Sequence, residues 1–162
     1  MPSLLSKLIE HATITPDKIA LSSPSASTSY KNLLRLIGAL QNQIPKDTKS
    51  IGIFGPSSAS WIAALIAAEN HGARVVPLPE IFSHTQLDHI IKDANVDFVF
   101  HDPLLPLPWT MTSYAWQGEY SDFTVQPHGP LAEQIVYTSG SSGAPNVVIH
   151  PIKTLDQKAF NL

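Results

Sequence analysis

Apolar residues recur along this chain in two alternating rhythms, a helical one and short unbroken runs. Across residues 3–11, Leu4, Leu5, Leu8 and Ile9 fall on one helical face. Thr15-Pro16-Asp17 punctuates that helix, residues 18–22 read as a strand, and the Ser/Pro-rich residues 23–28 read as the turn of a small hairpin. Ser29 is placed to cap a second helix, in which Leu33, Leu36, Ile37, Leu40 and Ile44 repeat on one face until Pro45 stops it. The next stretch is the most regular. Ser50-Ile51-Gly52-Ile53-Phe54 is a short apolar strand followed by the turn Gly55-Pro56-Ser57-Ser58. Residues 60–71 are helical with Trp61, Ile62, Leu65 and Ile66 expected inward, and Gly72 stands where a helix-ending glycine belongs. Arg74-Val75-Val76-Pro77-Leu78 is a strand, and Ser83 with Gln86 forms a capping-box pattern for a helix carrying Leu87, Ile90, Ile91 and Ala94. Asp97-Phe98-Val99-Phe100 is a further strand.

Short apolar strands alternating with amphipathic helices predict an α/β fold of mainly parallel βαβ units, its strands buried on both faces. Residues 103–130, with five prolines, are predicted as an irregular connection holding one strand at Phe123-Thr124-Val125. Gln134-Ile135-Val136-Tyr137 is a strand, a Ser/Gly loop follows, residues 146–150 form a second apolar strand, and the last ten residues read as helical.

Composition narrows the picture. A chain of 162 residues buries about 70% of its unfolded surface, enough for one core, so residues 1–162 are read as a single domain. With 43% hydrophobic and 14% charged residues it is too apolar for a disordered chain. The net charge of −3 and the scattered Lys and Arg give no footprint for nucleic acid. There is no cysteine, which excludes disulfides, thiolate catalysis and Cys-ligated zinc. Neither a signal-peptide core nor a bilayer-length apolar run is present, and the expectation is a soluble cytoplasmic protein.

The chemistry concentrates in Tyr137-Thr138-Ser139-Gly140-Ser141-Ser142-Gly143-Ala144-Pro145. Two glycines let the backbone take positive φ and approach a ligand, and hydroxyls with successive N–H groups can converge on an anion. The segment lacks the Gly-Lys-Ser/Thr ending of a P-loop, and its glycine spacing is not that of a nucleophile elbow. The turn Gly55-Pro56-Ser57-Ser58-Ala59-Ser60 likewise lacks the Gly-x-Gly-x-x-Gly of a dinucleotide binder. Composition alone fits a solvent-facing loop as well as a phosphate site.

These nine consecutive positions resemble the phosphate-binding signature of the adenylate-forming superfamily, which includes acyl-CoA synthetases, luciferases and the adenylation domains of peptide synthetases. Other segments resemble that family in order: Thr15-Pro16-Asp17-Lys18-Ile19-Ala20-Leu21, Phe54-Gly55-Pro56-Ser57-Ser58 with Trp61, and Gly72-Ala73-Arg74-Val75-Val76-Pro77-Leu78. The resemblance implies the N-terminal subdomain of an AMP-binding domain. It also implies Thr138, Ser139, Gly140, Ser141, Ser142 and Gly143 as nucleotide-phosphate contacts, with no catalytic residue and no metal ligand among the 162. Complete relatives use ATP and Mg²⁺ to activate a carboxylic acid, as in fatty acid metabolism, and pass it to the thiol of CoA or a carrier protein. Where the family has Lys-Gly after the proline, this chain has Asn146-Val147. The family's later motifs are not found in these residues, so the isolated chain is expected to be inactive. The alternative is a non-catalytic domain that binds a partner chain, a complementary C-terminal half or a carrier protein.

Other polar and aromatic residues point nowhere sharper. His84 and His89 fall on different helical faces with no third ligand, and His150 reads either as a site residue or as an ordinary strand residue. Trp109, Tyr114 and Trp116 suggest an exposed patch. Asp88 and Asp93 read as surface charges of a helix, and no carboxylate pair is spaced for acid–base work.

Overall fold

The computed structural model describes residues 3–117, 125, 133–141 and 143–151. The first helix, α1 (Leu4–Ile14), is capped by the Ser3 side chain and runs three residues beyond its expected end. Thr15 closes it by donating both its backbone N–H and its hydroxyl to the His11 carbonyl. β1 (Ile19–Ser22) and β2 (Ser27–Ser29) form the expected antiparallel hairpin, its turn tied by the Ser23 hydroxyl to Ala26. α2 (Tyr30–Gln41) starts from the Ser29 cap.

The central unit follows as β3 (Ser50–Phe54), α3 (Ala59–His71), β4 (Arg74–Leu78), α4 (His84–Asp93) and β5 (Phe98–His101). Each helix has a serine cap: Ser58 accepts from the Trp61 N–H, and Ser83 with Gln86 completes a capping box. Gly72 ends α3 at φ 85°, where a side chain would be strained. β6 (Ser113–Ala115), β7 (Glu133–Thr138) and β8 (Asn146–Pro151) complete a six-stranded sheet in the order β6-β5-β3-β4-β7-β8, all parallel except β8.

β4 lies on one side of β3 and β5 on the other, so the two right-handed crossovers put α3 and α4 on opposite faces. Strand residues alternate accordingly. Ile51, Ile53, Val75, Phe98 and Phe100 join the core beneath α1, α2 and α3, whereas Val76, Leu78, Val99, Ile135 and Tyr137 join the one beneath α4. At the amino edge the Asp97 carboxylate accepts the N–H groups of Lys49 and Ser50, tying the start of β5 to that of β3.

Three expectations change. β6 forms inside the stretch read as irregular, because its three residues pair in parallel with Val99, Phe100 and His101 of β5. The expected exposed aromatic patch does not exist: Trp116 is 4% exposed, Tyr114 packs edge-on to Phe100, and Trp109 packs edge-on to Phe54 while its Nε1 donates to Asp88 at 2.7 Å. The buried side of α3 is made of Ala63, Ala64, Ala67 and Ala68 with Ile66, whereas Trp61, Ile62 and Leu65 are only half-buried, because small side chains let the helix lie close to its neighbours. Of the strand expected at residues 123–125, only Val125 is described, as a buried residue outside any strand. The helix expected over the last ten residues lies outside the described residues. Among the described residues no helix is long and apolar enough to cross a membrane.

Candidate functional site

Backbone pairs from Glu133–Pro151 to Thr138–Asn146 hold β7 and β8 as a hairpin and close the Ser/Gly loop at its base. The parallel pairing of Val75 with Gln134 carries Thr138 past the end of β4, level with Pro79. The loop therefore leaves the sheet at its carboxyl edge, together with the turns that follow β3 and β4. That edge is where open α/β sheets bind ligands.

Within the loop the chain doubles back on itself. The Gly143 N–H donates to the Gly140 carbonyl at 3.2 Å. A Cβ at Gly140 would stand 2.2 Å from the Ala144 carbonyl oxygen, so no other residue fits without moving backbone. At Gly143 the surrounding space is open, and glycine is required by its φ of +84°. Thr138, Ser139 and Ser141 are exposed, and their hydroxyls enter no hydrogen bond among the described residues. Five of the six residues named from the sequence thus lie on one turn; Ser142 is outside the described residues.

The donors of this turn are neutral. No Lys or Arg occurs between Glu133 and Pro151. Asn146 stands first on β8, and its Nδ2 lies 3.3 Å from the point a Gly140 Cβ would occupy, so its amide sits against the loop. His150 pairs with Gln134, four rungs down the hairpin, and the structure does not bring it to the loop. His84 and His89 are both exposed on α4. Among the described residues no group of three or more His, Asp or Glu is placed to hold a metal ion.

Sequence reading missed the contact beneath the loop. Tyr137, 4% exposed, donates its phenol to Asp93 Oδ2 at 2.5 Å. Burial first, then the bond to Asp93 and its charge, hold the phenol well above its ordinary titration range, with Arg74 opposing weakly. The two residues are 44 apart in sequence, so no local spacing could have announced them.

Two clefts lie elsewhere. One of about 460 Å³ at the amino edge is lined by Lys49, Arg74, Asp97 and Glu133 among others. Another of about 450 Å³ lies between the β1–β2 hairpin and the start of α3. Neither of these two clefts includes a described loop residue, and the candidate site is argued from the backbone geometry at the carboxyl edge.

Fold and loop together define a doubly wound α/β unit with a glycine- and serine-rich turn at the carboxyl edge of its sheet. The profile of the family described as AMP-binding enzyme matches residues 8–162, and the chain belongs to that family. It is 27% identical over 150 residues to a plipastatin synthase of Bacillus subtilis, an alignment covering 85% of this chain and 6% of that protein. Its fold superposes on O-succinylbenzoate coenzyme A synthetase (MenE) of Bacillus subtilis, solved in complex with AMP, with a TM-score of 0.76 at 18% identity, covering 96% of this chain and 45% of that one. The N-terminal subdomain of NpsA from Klebsiella oxytoca, bound to 3-hydroxybenzoyl-AMSN, gives a TM-score of 0.73 at 18% identity, covering 97% and 43%. The chain thus spans less than half the length of each of these proteins.

Proposed function

We propose that residues 1–162 act as one N-terminal subdomain of an adenylate-forming ligase, and that the turn from Thr138 to Gly143 steadies the phosphates of ATP. The observation that carries this reading is Gly140. Its backbone is packed so closely on Ala144 that no side chain fits, and the hydroxyls of Thr138, Ser139 and Ser141 are exposed and enter no hydrogen bond among the described residues. Such a turn fits a polyphosphate, which several neutral donors grip at once. When bound, ATP would supply the α-phosphorus attacked by a carboxylate, with pyrophosphate leaving; a CoA or carrier-protein thiol would then take the acyl group and release AMP. What this chain's residues do is hold and orient: the hydroxyls of Thr138, Ser139 and Ser141 and the loop amides fix the leaving phosphates. None of them supplies a base, a nucleophile or a ligand for Mg²⁺, so the chain alone does not complete the reaction. We place the protein in the cytoplasm, where ATP and CoA are available.

The test is a nucleotide titration with a product assay on the same sample. Millimolar ATP is expected to shift the amide resonances of Gly140 and Gly143, with no pyrophosphate released in the presence of carboxylic acids. Unmoved glycine amides would sink the phosphate site, and pyrophosphate release by the pure chain would sink the inactivity.

A second reading, a non-catalytic domain that binds a partner chain, is favoured by β8, whose Val147, Val148 and Ile149 are all exposed. Unmoved amides together with retention on an immobilised carrier protein would select it.

A further inference from the structure

Asp93 is the last residue of α4, where unsatisfied carbonyls gather and the helix dipole is negative. A carboxylate at that end is disfavoured. Asp93 forms no ion pair with a described Lys or Arg. Its partner is the phenol of Tyr137, held at a distance typical of a charge-assisted O–H···O⁻ bond. Tyr137 is the last inward-facing residue of β7: the next backbone pair, Thr138 with Asn146, closes the base of the loop. A phenylalanine would fill the same buried volume, so packing alone does not call for the hydroxyl or for its acidic partner.

We propose that Asp93 is a positioning residue for the Ser/Gly loop, acting through the Tyr137 hydroxyl to fix the strand end from which Thr138, Ser139 and Gly140 project. α4 is thereby bonded to β7 at its last residue, while the Ser83–Gln86 capping box fixes its first turn after β4. The role of the loop as a phosphate site rests on the function proposed above; the ordering of the loop by Asp93 does not.

Amide hydrogen exchange on the intact chain separates these claims. Asp93→Ala and Tyr137→Phe are each expected to speed exchange at Gly143, whose N–H donates to the Gly140 carbonyl, by about threefold to tenfold, the loss of one hydrogen bond. Amides of β3 and the Ala-rich face of α3 should stay within error of wild type. Asp93→Asn, which keeps an acceptor oxygen, should restore most of the protection. An ATP titration of the same variants should show a parallel weakening that Asp93→Asn recovers. Unchanged exchange at Gly143 in Asp93→Ala overturns the proposal, as does acceleration spread equally over β3. Loop-confined acceleration in a protein whose amides ignore ATP keeps the positioning role and removes the phosphate reading.

Discussion

Asn146 occupies the first position of β8, beside the loop and exposed, at the place where the resembling family carries lysine. Its amide can offer a neutral hydrogen bond, whereas an ammonium would add charge to a cradle whose own donors are all neutral. A charge-assisted contact is worth about 1.5–3 kcal/mol where a neutral one gives about 1. Asn146→Lys is therefore expected to tighten ATP binding by about tenfold, and AMP binding much less, as read by calorimetric titration. Equal affinity for ATP in the two proteins would mean that position 146 does not face the phosphates. Glycine is constrained differently at the two loop positions. Gly140 is fixed by the Ala144 carbonyl and Gly143 by its φ, so alanine at the first must displace backbone while alanine at the second costs only conformational strain.

At the scale of elements, what could be read in advance was what is periodic or local. The four described helices, the hairpin and the strands β3, β4, β7 and β8 are each announced by their own apolar spacing and caps, and the Ser/Gly loop by its own residues. β6 was not legible, because three residues in a proline-rich stretch have no intrinsic preference strong enough to show; they become a strand only when β5 is there to pair with. The contact of Tyr137 with Asp93 and the sealing of Gly55 by the Trp116 ring were illegible for the same reason, since each joins segments far apart in sequence. The face of α3 was misjudged by weighing size over fit. Ala67 has no exposed surface in the core that α3 shares with α2 and the sheet, and that core is closed by small side chains. Ala67→Leu should therefore destabilise the chain by about 1–3 kcal/mol through overpacking. Urea unfolding would show it as a lower midpoint at unchanged slope. A midpoint at or above wild type would show that the helix has room to move outward.

For the whole molecule, the sheet is protected unevenly. Its interior strands are covered on both faces by the two cores, but β8 has no strand on its outer side among the described residues. Val147, Val148 and Ile149 are 50%, 42% and 55% exposed, and being consecutive they present apolar groups on both faces. β8 contains no charged residue, and its one proline, Pro151, comes only at its end. Natural edge strands are usually blunted by a charge, a central proline or a bulge, and without these the free backbone edge invites another strand. The 162-residue chain is therefore expected to self-associate reversibly through β8, with a weight-average mass in sedimentation that rises with concentration. Val148→Lys places a charge in the middle of that edge and should flatten the rise while leaving the unfolding free energy within about 0.5 kcal/mol of wild type, as for an ordinary surface change. A wild-type chain that stays monomeric at every concentration would show that the edge is covered, and association unaffected by Val148→Lys would move the contact to another surface.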